Sequence, residues 1–153
     1  MPRSNHARLT LASLLALAGS IGALPLSGCQ EMSNLSVSRA AMDLLSQQTR
    51  DAANSYVSKL SSIIKSLNGV RDVPTAMDFI KNTEPDLAQL GADCRTLMAT
   101  TGSERTNLLK AFGAKFDSLS EEFSEAADKA KESSRTGIFV SPMLDKIKLF
   151  KAS

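Results

Sequence analysis

Two thiols and a row of carboxylates are the side chains of this chain best suited to chemistry. Cys29 and Cys94 are its only cysteines and His6 is its only histidine. From residue 7 onward no imidazole is present to take a proton from a serine or cysteine, or to ligate zinc. Serine–histidine and cysteine–histidine catalysis and imidazole-bound zinc are therefore excluded there. No glycine-rich loop precedes a helix, so the usual nucleotide-binding signatures are missing too. Asp117, Glu121, Glu125, Asp128 and Glu132 are spaced by four, four, three and four residues, which lines them along one helix face. Like charges at such spacing repel by about 0.2–0.5 kcal/mol per pair, which invites a cation. Helical di-metal sites, however, also use Glu-x-x-His pairs on facing helices. The expectation is a solvated face, relieved by Lys129 and by Lys59 or Lys65 from across the bundle, with no bound metal and no cofactor. Cys94 falls between Leu90 and Leu97 on an apolar stripe, where a small buried hydrophobe is expected rather than a reactive thiol.

Cys29 stands in a different context. Arg3, His6 and Arg8 are the only charge-capable side chains among the first 28 residues, and an apolar run follows from Leu9 to Leu26. That order is a positive n-region and an h-region. A spanning helix needs about 20 apolar residues, and this run is shorter and interrupted by Gly19, Gly22 and Pro25. Leu26-Ser27-Gly28-Cys29 resembles the lipobox of bacterial lipoproteins: an aliphatic residue, two small ones, then the cysteine. The resemblance covers residues 1–30 only. It implies that residues 1–28 are a signal peptide, that the Cys29 thiol takes a diacylglycerol, and that the new amino group is acylated as well. One myristoyl-sized chain holds a protein only marginally, each buried methylene adding about 0.8 kcal/mol, so several chains make the attachment stable. The resemblance further implies a place on the exported side of a cell membrane. With Gln30 rather than aspartate after the cysteine, that place in a Gram-negative cell is the periplasmic face of the outer membrane.

The part beyond the signal is 125 residues, enough for one domain with its own core. It holds 16 Lys and Arg against 16 Asp and Glu, so it lacks the electrostatic footprint of a nucleic-acid binder. Lys146, Lys148 and Lys151 are a local excess, read as a solvated helix face, with contact to anionic headgroups as the alternative. With Cys29 acylated, Cys94 has no disulfide partner, and stability must come from helix packing.

The elements that would position these residues are all helical. Residues 29–34 form a short lipidated tether, of which Gln30 to Asn34 spans at most roughly 18 Å at about 3.5 Å per residue. The domain, 35–153, should begin with a helix from about Leu35 to Leu67, its stripe clearest as Ala53, Val57, Leu60, Ile64 and Leu67. Asn68-Gly69 should end it with a left-handed cap. A second helix is expected from about Pro74 to Ala99, with Met77, Ile80, Leu87, Leu90, Cys94 and Leu97 inward. Pro85 should kink or break it near Asn82 to Glu84, with Thr83 capping the restart. Ser103 should cap a third helix running to about Ser133 with a seam of Leu109, Phe112, Phe116, Leu119, Phe123, Ala126 and Ala130. Ile138-Phe139-Val140 reads as extended, and Ser141-Pro142 as the start of a last helix ending near Phe150. The fold class is all-α: an antiparallel three-helix bundle with a short C-terminal helix packed back on it.

A non-enzymatic, membrane-anchored lipoprotein acting by protein contact is the expected function, as scaffold, adaptor or accessory subunit with an envelope protein as partner. The alternative is a carrier of a small apolar ligand or lipid, with a pocket at the Pro85 kink lined by Met77, Phe79, Ile80, Phe112 and Phe116. A third class, a hydrolase or transferase, would need a concave site with convergent carboxylates.

Overall fold

The structure, a computed structural model, describes residues 39–151. The segment 1–28 expected to be a signal, Cys29, the expected tether and residues 35–38 lie outside the described residues. What is described is all-helical, with no strand: α1 spans Gln47–Asn68, α2 Val73–Ala99, α3 Gly102–Glu132 and α4 Gly137–Leu144. α1 packs on both α2 and α3, and α4 packs on the same two helices.

The helix expected from about Leu35 to Leu67 is interrupted at 44–46. A helical turn over 39–43 stops, and α1 begins only after Ser46. The Ser46 Oγ accepts from the Thr49 backbone N–H at 3.3 Å, while the Ser46 N–H donates to Glu104 Oε1 at 3.0 Å. A residue whose amide is committed to a distant carboxylate cannot also donate within a helix, so the chain turns there and Leu45 swings into the core. From Thr49 to Leu67 the buried line is Ala52, Ala53, Tyr56, Leu60, Ile63 and Ile64. Gly69 ends α1 without the expected left-handed conformation: its φ is −84°, and its N–H reaches back to Ser66 and Leu67 carbonyls.

Asp72 caps α2 with a reciprocal bond to Thr75, and Pro74 lies in the first turn, where its missing donor costs nothing. The helix then runs unbroken through Pro85. Proline removes the hydrogen bond to the Lys81 carbonyl, but Pro85 and Lys81 are both exposed, so water can take that bond while the inner face keeps packing. Thr83, expected as a cap, is instead buried at mid-helix. The inward line of the first half is Ala76, Phe79 and Thr83. Met77 is 53% exposed, and Ile80 and Leu87 are only half-buried.

Thr101, not Ser103, precedes α3, and Gly102 follows it at φ 61°, a left-handed conformation that costs glycine nothing. The expected seam is present from Phe112 to Ala130, but Leu108 occupies its first position fully buried, with Leu109 at its edge. Ile138-Phe139-Val140 is helical rather than extended. In a chain with no strand among its described residues, those amides find partners only within a helix, and Phe139 and Val140 N–H groups both donate to the Thr136 carbonyl. Gly137 is required by crowding, because a Cβ there would lie 2.5 Å from the Lys131 carbonyl oxygen. Pro142 sits inside α4, which ends at Leu144 instead of continuing to Phe150.

The segment after α4 packs back on the helices, burying Ile147 and Phe150. Its anchor is an aromatic cluster. Phe116 meets Tyr56 edge-on at 5.6 Å between centroids, and Phe150 at 4.9 Å. Each such pair adds about 0.5–1.5 kcal/mol beyond its burial. The buried Phe150 N–H donates to Tyr56 Oη at 2.8 Å, and the Arg105 guanidinium lies 4.6 Å from the Phe150 ring.

Candidate functional site

Cys29, the one residue assigned a modification, lies outside the described residues. Cys94 is a free thiol, 3% exposed on the inner side of α2. Burial pushes its pKa up, and the nearby positive charges of Lys148 and Arg95 pull it partly back. A thiol held neutral by burial is a poor nucleophile, as its place on the stripe implied.

The carboxylates of the acidic row all lie on α3 and are all exposed. No group of three or more His, Cys, Asp or Glu side chains among the described residues is placed to hold a metal ion. Among the described residues none of the row's carboxylates forms an ion pair with Lys129, Lys59 or Lys65. Lys59 pairs with Asp86 on α2, whereas Lys151 shares a shallow hollow of about 390 Å³ with Glu121 and Glu125. The sequence pattern could not reveal this, because Lys151 arrives from a non-helical tail.

The carrier pocket expected at Pro85 does not form where it was expected. Phe79, Phe112 and Phe116 are core residues, Met77 faces outward, and none of the four principal hollows is lined by any of the five residues named for it. Tyr56 and Phe150 fill the space beside Phe116.

Two hollows flank α2 and differ in chemistry. Between α1 and α2 lies a polar cleft of about 350 Å³ around Asp93. Asp93 is 4% exposed, and its two oxygens accept from Ser55 Oγ at 2.6 Å and Gln89 Nε2 at 2.7 Å. A buried carboxylate so answered is a structural tie between helices. On the other side, α2 and the C-terminal segment bound a groove of about 560 Å³, the most enclosed of the four. Leu87 and Met98 present its apolar surface over a floor of the buried Leu90 and Cys94, and Arg95, Lys146 and Lys148 supply its charge. Gly91 opens it: the nearest atom to a Cβ placed there is Arg95 Nη1 at 3.9 Å.

The three C-terminal lysines do not share a helix face, since 147–151 have no regular structure. Lys146 and Lys148 line the groove on α2, and Lys151 lines the hollow on α3. This division was missed from sequence because a helical period was assigned to a stretch that alternates. Among the described residues no helix is long and apolar enough to cross a membrane. Compared with models of protein families, with curated proteins and with solved structures, the chain matches none.

Proposed function

We propose that this chain is a membrane-anchored, non-enzymatic helical lipoprotein that acts by protein contact on the exported side of a bacterial envelope. In this reading Cys29 carries the acyl chains, residues 30–34 hold the domain against the bilayer, and the domain is an antiparallel three-helix bundle with α4 as its short C-terminal helix. Cross-helix contacts support the directions: Ser55 meets Asp93 and Lys59 meets Asp86, so partners fall in sequence as α1 rises. Ser46 meets Glu104 and Tyr56 meets Phe116, so along α3 they climb with it.

One observation carries the contact role. The chain comes into α1 beside Glu104, at the end where α3 begins, whereas α4 follows the far end of α3 and there leaves Ile138 78% and Phe139 41% exposed. Large apolar side chains presented away from the anchored end suit a protein partner better than the supporting bilayer. If Gram-negative, the cell would hold the protein on the periplasmic face of its outer membrane, and the partner would be another envelope protein.

Mass spectrometry of the native product tests the anchor: it should begin at an acylated Cys29, and a product retaining residues 1–28 or lacking acyl chains would overturn the reading. For the contact, a photo-crosslinking residue at position 138 should capture one envelope protein, and Ile138→Asp should abolish co-purification without lowering thermal stability. Equal capture from exposed positions around Gln89 on α2 would remove the case for α4.

A further inference from the structure

We propose that the groove between α2 and the C-terminal segment binds a single-chain anionic amphiphile, an acyl chain bearing a carboxylate or phosphate head. The argument stands on the groove alone and not on the anchor.

Its volume of about 560 Å³ falls within the roughly 300–1,000 Å³ of small-molecule sites. From Leu87 to Met98 it follows α2 for roughly 16 Å at about 1.5 Å per residue, a span suited to one extended acyl chain. The apolar surface is aliphatic and sulfur-bearing, and Met98, 65% exposed, is the flexible kind of side chain that adapts to a chain of variable length. No aromatic ring lines the groove to stack on a base, and no carboxylate lines it to receive a cation.

The polar end is one-signed. Arg95, Lys146 and Lys148 line the same hollow, and none of their side chains has an ion pair or hydrogen bond among the described residues. The carboxylate next in sequence to Lys146 is committed elsewhere: Asp145 accepts from Lys131 at 3.1 Å. Lys59 is answered by Asp86, and Arg105 by the Leu97 carbonyl and the Phe150 ring; what sets Arg95, Lys146 and Lys148 apart is that they converge on one hollow. Three unanswered cations beside an apolar trough complement an anionic head attached to a hydrocarbon tail.

The protein tested is the full 153-residue chain. Its binding is titrated with palmitate, palmitoyl lysophosphatidic acid, palmitoyl lysophosphatidylcholine and inorganic phosphate, each below micelle formation. Palmitate or the lysophosphatidic acid should bind one to one. The zwitterionic lipid should bind at least about fivefold more weakly, the scale of one partly exposed ion pair, and phosphate alone not at all. Preference for palmitate identifies a free fatty acid as the source, and preference for the lysophosphatidic acid a membrane lipid.

Two variants locate the site. Gly91→Leu places a side chain at the groove, its Cβ meeting nothing nearer than Arg95 Nη1 at 3.9 Å, and replaces a helix-interior glycine, so thermal stability should hold or rise while binding falls at least about tenfold, the blocked-pocket outcome. Arg95→Gln with Lys148→Gln should bring the anionic lipids down to the affinity of the zwitterionic one. Absence of binding, equal affinity for all three lipids, or binding unaffected by both variants would overturn the proposal.

Discussion

The C-terminal segment touches the rest of the molecule along two edges of opposite character. At the edge facing α1 and α3, Phe150 is closed in: its ring lies against Phe116 and Arg105, and its N–H is taken by Tyr56. At the edge facing α2, Lys146 and Lys148 border a groove with no partner for their charge among the described residues. A stretch without regular structure has no internal ladder to hold it. The closed edge therefore fixes the segment, and the open edge keeps its shape because the other is fixed. Stability and binding capacity are divided between two sides of a few residues.

The largest expected effect is at the closed edge. Phe150→Ala removes a ring that is 1% exposed and should destabilise the fold by about 3–5 kcal/mol, as read by urea unfolding. It should also erase the groove, because Lys146 and Lys148 lose their mooring. If stability fell while amphiphile binding survived, the dependence of one edge on the other would be refuted.

Tyr56→Phe should cost less, about 1–3 kcal/mol, since it leaves the buried Phe150 amide without an acceptor. It carries a pH signature. Burial raises the Tyr56 hydroxyl from its ordinary 10.0 to about 12, against the opposing pull of the Phe150 bond. A raised phenol contributes stability that is complete below pH 10 and is lost as pH climbs from there to about 12. The wild-type protein should lose that increment over the window and the Phe variant should not; parallel curves would show that the hydroxyl is not held neutral by the fold.

The smallest effect sharpens the contrast from the open side. Lys146→Gln with Lys148→Gln should leave stability within about 0.5 kcal/mol of wild type, since neither lysine is answered. A loss above 1 kcal/mol, roughly the ceiling for exposed pairs, would mean that the cations hold the segment and that the two edges are alike.

Patterns confined to one helix were legible in advance. The Phe112, Phe116, Leu119, Phe123 line, the start of α2 near Pro74 and the burial of Cys94 each depend on residues within a few turns of one another, and periodicity and helix-start signals report on that scale. The errors arose where a distant group decided the matter. α1 begins at Gln47 because Glu104, 58 positions away, takes the Ser46 amide. Pro85 leaves α2 intact because it faces water, and the first half of the buried line shifts to Ala76 and Phe79 because α1 packs there.

Composition and order alone determined that the chain has no imidazole after His6, that Cys94 is its single thiol beyond the lipobox-like segment, and that its periodic stretches are helical. These follow from which side chains exist and from hydrogen bonds made a few residues apart. The tertiary structure decided which hollows stay open, that Lys146 and Lys148 join Arg95 while Lys151 faces Glu121 and Glu125, and that Tyr56 and Phe150 fill the centre. Those outcomes depend on packing between segments far apart in the chain, where one favourable long-range contact outweighs the local preference of a turn.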